Sequence, residues 1–257
     1  MIKLENVVLA SPEQMDFIIQ GMRNPMNSWE KSDSYKGYDC KSCGKIERDG
    51  YCAKGDSERA HCQDYYGFEL RENDHSLMQR LSNAGTEHRK YMRMMPVYVR
   101  ITAPLYWWKE ADTYKIGTVT NSCSTMHKIA EKKFEYEDFS TDMLMVSGTE
   151  HIMKLIVHLN ELREAYLNYA TWDNNGFKKP SKKEIWWQMI QLLPSSYNQT
   201  RNVMMNYEVL ANIYRQRKNH KLDEWREFCK WVETLPYSEL ITHIKLDNEE
   251  EMNGRSN

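Results

Sequence analysis

The sequence predicts an α+β fold in which a mixed β-sheet is flanked by long helices. Two stretches, residues 2–9 and 97–102, alternate apolar and polar residues with the period of a half-buried strand. Three others repeat apolar residues at the spacing of a helical face. These helical stretches are residues 149–170, 181–193 and 196–219.

Length and composition limit the class of protein. With 257 residues, 40% of them hydrophobic, we expect a single domain over residues 1–257 with an insertion at about residues 30–70. The formal net charge of −2 gives no broad basic field, which argues against a nucleic-acid polymer or a membrane as the principal partner. Because there is no basic leader and no run of about 18 apolar residues, we expect a soluble, cytoplasmic protein.

The first third of the chain predicts a strand, two helices and a long segment between the helices. A Ser-Pro pair at residues 11–12 has the form of an N-cap followed by proline, and the helix should run to about Met22. Residues 24–67 are rich in Ser, Lys, Asp, Gly and Tyr, which predicts a long loop or an inserted subdomain. Helical spacing resumes near Leu77, and Gly85 should end or bend that helix.

Four of the six cysteines lie within that insertion. They are Cys40, Cys43, Cys52 and Cys62. The first two have the spacing of a zinc knuckle, and the others, or His61, would complete a tetrahedral structural site. The second pair does not repeat the tight spacing, so a polar surface insertion with free or redox-active thiols is the alternative.

The stretch of residues 103–127 combines aromatic, acidic and hydroxyl side chains and contains a late histidine. Six hydrogen-bonding residues crowd into its second half: Thr118, Thr120, Asn121, Ser122, Ser124 and Thr125. Such clusters suit a loop that holds an anion. An ordinary Ser/Thr-rich turn between two strands is the alternative.

Residues 196–219 are predicted to form one long helix. Its apolar face carries Val203, Tyr207, Leu210 and Tyr214. Asn206 and Arg217 lie beside that face, about 20° apart around the axis and about 16 Å apart along it, while Asn212 points to the other side. The first two are therefore candidates to contact opposite ends of one elongated ligand. The alternative is that Asn206 satisfies a backbone group and Arg217 forms a surface ion pair.

Part of the 103–127 stretch resembles the signature RHRxxSxNExSxRY of the flavin-dependent thymidylate synthases, with a one-residue gap. Asn121 and Ser124 match outright. The charged positions differ. Lys115 is the one basic residue that remains in the triplet, Ser122 replaces the glutamate and Met126 replaces the second arginine.

Two further segments resemble the same family in order and spacing. The first resembles its Leu-Pro and Asn-x-Arg region at Leu193-Pro194, Thr200 and Asn206. The second resembles its Arg, His and Glu positions at Arg217, His220 and Glu224. Together the three segments extend the resemblance over most of the chain after residue 85.

The resemblance implies a flavin-dependent reductive methylation. In the family, FAD is reduced by NADPH, methylenetetrahydrofolate supplies one carbon, and dUMP becomes dTMP without a covalent cysteine nucleophile. The family forms homotetramers whose sites combine several subunits. Carried over to this chain, the resemblance places Ser124 and Lys115 at the nucleotide, and Arg217 at the pyrimidine as the catalytic residue. It places four residues at the flavin: Asn206, Asn212, His220 and Thr113.

The lost arginines leave two other functions open. A nucleotide phosphate normally needs charge-assisted partners such as bidentate arginine, so fewer charges imply weaker or different binding. One alternative is a nucleotide-binding protein that keeps the fold without this activity. The other is a flavoenzyme that modifies a different pyrimidine nucleotide or uses another carbon donor.

Overall fold

A computed structural model, which describes residues 1–38 and 66–242, shows an α+β fold. The strands are β1 (Lys3–Leu9), β2 (Tyr35–Tyr38), β3 (Tyr66–Glu69), β4 (Pro96–Pro104), β5 (Val119–Ser122) and β6 (Asn198–Asn206). The helices are α1 (Pro12–Arg23), α2 (Glu72–Ser82), α3 (Lys90–Arg93), α4 (Leu105–Ala111), α5 (Thr125–Lys128), α6 (Val146–Leu167), α7 (Lys182–Leu192), α8 (Tyr207–Arg217), α9 (Asp223–Glu233) and α10 (Glu239–Thr242). The predicted class is confirmed.

The main sheet has four strands in the order β1–β4–β6–β5. Every pair in it is antiparallel, so the sheet is antiparallel rather than mixed. The strand predicted at residues 97–102 is confirmed as part of β4. It buries Val97, Val99 and Ile101 on one face and leaves Tyr98 exposed on the other, as an alternating pattern requires.

Helix α1 begins as the sequence predicts. The Ser11 hydroxyl accepts a hydrogen bond from the backbone N–H of Gln14, and the Gln14 side chain accepts one from the backbone N–H of Ser11. Pro12 occupies the first turn, where its missing N–H costs nothing. The reciprocal capping box at Ser181 and Glu184 likewise begins α7, and both predicted N-termini are confirmed.

The prediction of one helix over residues 196–219 is wrong. Residues 198–206 form β6, which pairs with β4 on one edge and with β5 on the other. Because two ladders of backbone hydrogen bonds are gained there, long-range pairing overrides the helical spacing that Val203 shares with the residues after it. The helix begins only at Tyr207, and Asn206 is its N-cap rather than a residue on its face.

The stretch of residues 103–127 is also more regular than the predicted anion-holding loop. Its aromatic first half forms α4, where Trp107 and Trp108 are buried in the main hydrophobic core. Part of its hydroxyl-rich second half is β5, an exposed edge strand paired with β6. The aromatic residues are there because they fill the core between the sheet and α9, where Trp107 packs on Trp225 at 4.6 Å between ring centroids.

Two hydrophobic clusters organise the described chain. The larger one lies around the main sheet, α1, α8 and α9, and the smaller one lies between α6, α7 and the segment of residues 129–139. A buried ion pair, Arg23 with Asp74, joins α1 to α2 at 2.6 Å. The second carboxylate oxygen of Asp74 accepts hydrogen bonds from the backbone N–H groups of Asp33 and Ser34, which fixes the approach to β2.

The cysteine cluster at Cys40, Cys43, Cys52 and Cys62 lies outside the described residues, so the zinc site stays a prediction. Within residues 1–38 and 66–242, no group of three or more His, Cys, Asp or Glu side chains is placed to hold a metal ion. None of the described helices combines the length and the apolar character needed to cross a membrane.

Candidate functional site

Glu110, in the last turn of α4, is the centre of a polar cluster. One of its carboxylate oxygens, Oε2, accepts a hydrogen bond from Nη1 of Arg217 at 2.6 Å and from the indole N–H of Trp225 at 2.9 Å. Nε2 of His220 lies 3.4 Å from the same oxygen. Three groups from α8, α9 and the turn between them therefore converge on one acidic side chain. We call Glu110, Tyr114, Arg217, His220 and Trp225 the Glu110 cluster.

Arg217 is held from three sides within this cluster. Its Nε donates to the hydroxyl of Tyr114 at 2.8 Å, and its guanidinium lies 5.0 Å from the ring centroid of Trp225. The side chain retains 19% exposure. The ion pair that was the alternative role of Arg217 is therefore present in the single chain. The predicted contact of Arg217 with a pyrimidine stays a prediction.

His220 has a defined hydrogen-bonding state. Its Nδ1 accepts the backbone N–H of Leu222 at 3.2 Å, so the neutral ring carries its hydrogen on Nε2. That nitrogen faces Glu110. The turn between α8 and α9 therefore holds the ring so that Nε2 lies beside the carboxylate of Glu110.

Asn206 lies at the junction of β6 and α8, where its side-chain oxygen accepts the N–H of Val209 at 3.0 Å. Asn206 therefore satisfies a backbone group, which was the alternative to contact with a ligand. Gly117, with φ +76°, passes so close that a Cβ there would lie 3.0 Å from Nδ2 of Asn206. Beside it, the buried Oγ1 of Thr118 has no hydrogen-bond partner in the described chain. The loop before β5 thus crosses the N-terminus of α8 and brings unused polar atoms there.

The other two predicted flavin residues are engaged within the chain through one atom each. Oδ1 of Asn212 accepts from Arg215 at 3.1 Å and from Gln216 at 2.9 Å. The hydroxyl of Thr113 donates to the carbonyl of Glu110 at 2.7 Å. Their remaining capacity is a donor on Asn212 and an acceptor on Thr113, so both can still bind a polar cofactor edge.

Ser124, one of the predicted nucleotide residues, lines a cavity to which no member of the Glu110 cluster contributes. Ser124 and His127 line a cavity of about 390 Å³ together with Gln199. Lys115 is exposed and does not line that cavity, and its side chain forms no hydrogen bond or ion pair with the described residues. Arg217 does not line the cavity either. One chain therefore brings Arg217, His220 and Thr113 together around Glu110, while Ser124 lines a cavity to which none of these three contributes.

Glu224, the third residue of the last resembling segment, lines a different cavity. It is buried, accepts a hydrogen bond from the hydroxyl of Tyr106, and shares a cavity of about 550 Å³ with Asp142. Burial raises the pKa of Tyr106, and the hydrogen bond to Glu224 raises it further. The neutral hydroxyl of Tyr106 thus donates to the carboxylate of Glu224. Glu224 is therefore not part of the Glu110 cluster.

Sequence reasoning missed two groups of residues. Glu110 carried no motif, and its role depends on the folding of α4 against α8 and α9. Lys182 and Lys183 line a cavity of about 400 Å³ with His127, which follows Ser124 by three residues in the chain. They stand in the first turn of α7, where the helix dipole disfavours cations, and that unusual position was a signal available in the sequence.

Comparison with known proteins gives a likeness at the level of fold. No protein-family model matches the chain, and no curated protein matches it by sequence. A crystal structure of thymidylate synthase X (ThyX) from Helicobacter pylori with FAD and dUMP is similar over 94% of this chain and 95% of that chain, with 15% identity and a TM-score of 0.54. A second structure, of the flavin-dependent thymidylate synthase ThyX from Helicobacter pylori complexed with FAD and dUMP, covers 94% of this chain and 96% of that chain, with 16% identity and a TM-score of 0.55.

Proposed function

We propose that this protein is a flavin-dependent enzyme that alkylates C5 of a pyrimidine deoxynucleotide, as in the conversion of dUMP to dTMP with methylenetetrahydrofolate and NADPH. The observation that carries the proposal is the likeness over 94% of the chain to two thymidylate synthase structures that hold FAD and dUMP. The residues that resemble the family's signature segments support it, because Arg217 and His220 meet at one cluster.

The phosphate side of the proposed site is the cavity of Ser124 and His127. Ser124 supplies a hydroxyl donor there, and Lys115 of a neighbouring subunit would supply charge. Lys182 and Lys183 line the adjoining cavity that His127 also lines, so they replace part of the positive charge lost from the family's signature.

The pyrimidine side is Arg217, whose planar guanidinium stabilises negative charge on the ring carbonyls as C5 becomes nucleophilic. Glu110, Tyr114 and Trp225 hold that guanidinium in one orientation. The flavin, when bound, supplies the hydride. Its polar edge and phosphates would be held by the unused side-chain atoms of Asn206, Asn212 and Thr113, and by His220.

We further propose a homotetramer, because Ser124 and the Glu110 cluster do not line one cavity in the single chain and apolar side chains are left uncovered. These exposed residues, on α6 and just before it, are Met143, Met145, Val146, Met153 and Val157. Met145 and Val146 are each 79% exposed, which is unusual for the start of a 22-residue helix in a monomer. A second chain packing on this surface would bury them and bring the separated groups together.

Light scattering at micromolar concentration is expected to give the mass of four chains of 30.7 kDa. Val157→Glu should lower that mass, because a charge would then lie in an apolar contact. Lys154→Glu on the same helix is the matched control and should leave the mass unchanged. A wild-type mass of one chain would contradict the shared site.

A second candidate function has one observation in its favour. Glu110 neutralises the guanidinium of Arg217 in the single chain, and such a neutralised arginine stabilises a developing anion less strongly. A nucleotide-binding protein that keeps the fold without catalysis would have this property.

One experiment separates the two functions. The purified protein is expected to carry a flavin absorption band that NADPH bleaches and that a pyrimidine deoxynucleotide with methylenetetrahydrofolate restores. The methylated nucleotide should be detected by mass spectrometry. Nucleotide binding without flavin and without product would support the binding-only function instead.

A further inference from the structure

A cavity of about 270 Å³ is lined by residues from β1, α1, β3, β4 and α8 and from the turn between α9 and α10. Four aromatic side chains line it: Tyr66, Phe68, Tyr207 and Tyr237. The other lining residues are aliphatic residues, methionines, prolines and one glycine, so no lining residue carries a charge. Because burying an uncompensated charge is costly, a molecule that fills this cavity should be neutral.

Tyr237 lines this cavity in a backbone conformation that tyrosine rarely adopts. Its φ is +56°, and the other non-glycine residues with positive φ in the described chain are all asparagines. Asparagine tolerates that region because its short side chain bonds locally, whereas a bulky aromatic residue is disfavoured there. Strain of this kind is concentrated at functional sites and ligand clamps. The hydroxyl of Tyr237 forms no hydrogen bond with the described residues, so it is available to a ligand.

Gly67, inside strand β3, has neither of the usual reasons for a glycine. Its backbone is outside the left-handed region, and a Cβ built there would meet no atom of the described chain within 4 Å. Glycine inside a strand weakens the strand, and it often marks a place where a ligand approaches closely. Gly67 lines the cavity, so its missing side chain leaves room there.

We propose that this cavity binds a small neutral aromatic molecule of one or two fused rings. Aromatic side chains favour edge and face contacts with a flat ring, and the hydroxyl of Tyr237 can bond a ring N–H or carbonyl. The hydroxyl of Tyr207 donates to the carbonyl of Pro236, which holds that ring in place before a ligand arrives. An apolar cavity of about 150 Å³ can bind benzene, so this larger cavity has room for a bicyclic ring.

This site does not depend on the proposed function. No residue of the Glu110 cluster lines the cavity, and Ser124 does not line it either. Failure of one proposal therefore leaves the other standing.

Indole is the probe, and its binding to the wild-type protein is measured by titration with ligand-observed NMR. We expect saturable binding with a Kd on the order of 1 mM or tighter, as for a small ligand that buries most of its surface. Indole-3-acetate, which adds a carboxylate to the same ring system, is the matched ligand. It should bind about tenfold more weakly or worse, because no lining residue compensates its charge.

Gly67→Leu should fill the cavity and weaken indole binding by about tenfold or more, because its side chain would occupy the space of the ligand. Thr120→Leu is the matched control. It lies on the exposed strand β5, does not line the cavity and should bind indole as the wild type does. Circular dichroism checks that both variants are folded.

Tyr237→Gly is a second variant, since glycine adopts a positive φ without strain. It should fold and lose indole binding together with the ring and the hydroxyl. Absence of indole binding to the wild type would overturn the inference whether or not the variants fold. Wild-type affinity in folded Gly67→Leu or Tyr237→Gly would place indole elsewhere on the protein and would overturn it as well. Equal affinity for indole-3-acetate would contradict the neutral class of ligand.

Discussion

Asp74→Asn is expected to lower the free energy of unfolding by about 3–5 kcal/mol, the cost of removing one partner of a buried ion pair. Asp74 is fully buried and its partner Arg23 is 3% exposed, so water cannot replace the lost carboxylate. Nη2 of Arg23 already has no partner in the described chain, and the substitution would leave the whole guanidinium charge uncompensated. Urea unfolding followed by circular dichroism measures the change.

The matched control is Asp223→Asn, which breaks an ion pair with Arg226 that is 44% exposed on both sides. Because solvent screens that pair, we expect a loss of less than about 1 kcal/mol. A loss at Asp74 no larger than at Asp223 would show that the buried pair does not hold α1 and α2 together.

Acid pH should reproduce part of the Asp74 effect. Burial raises the pKa of Asp74, but the hydrogen bonds from Ser34, Arg23 and Ser32 outweigh burial and lower the pKa to about 2. Since this folded value lies below the unfolded value of about 3.9, the stabilisation is fully present above about pH 4. It is lost as the pH falls from about 4 towards 2, and Asp74→Asn should lack this part of the acid dependence.

Arg217→Lys is expected to keep the fold and the bound flavin but to lose roughly 2–4 kcal/mol of transition-state stabilisation, the size expected for one such donor. That corresponds to a fall in kcat/KM of about thirty- to thousandfold. An ammonium can still pair with Glu110, but it cannot bond Tyr114 and a ring carbonyl in one plane. Flavin reoxidation and product formation with dUMP and with dCMP, each with methylenetetrahydrofolate, measure the change.

Arg215→Lys is the control for this experiment. Arg215 is on the same helix and is exposed, and within the described chain its guanidinium donates a hydrogen bond only to the side chain of Asn212. It should retain wild-type turnover. Equal turnover in the Arg217 variant would remove Arg217 from the site, whereas a wild type inactive with both nucleotides would favour the binding-only function.

Local patterns in the sequence determined the elements whose signals are short-range. The capping boxes at Ser11 and Ser181 depend on residues three positions apart, so both helix starts could be predicted. The alternation around Val99 identified β4, because burial on one face of a sheet needs period two. The resemblance to a flavin-dependent family rested on order and spacing, and the fold-level likeness agrees with it.

The tertiary structure decided the features that depend on distant partners. Residues 198–206 have a spacing compatible with a helix, yet pairing with β4 and β5 makes them a strand, since local preference is weaker than two ladders of hydrogen bonds. The candidate site also depends on residues that are far apart in the chain. Glu110 stands 107 residues from Arg217 and 115 from Trp225, so no local pattern could join them, and only the packing of α4 against α8 and α9 makes that glutamate the centre of the cluster.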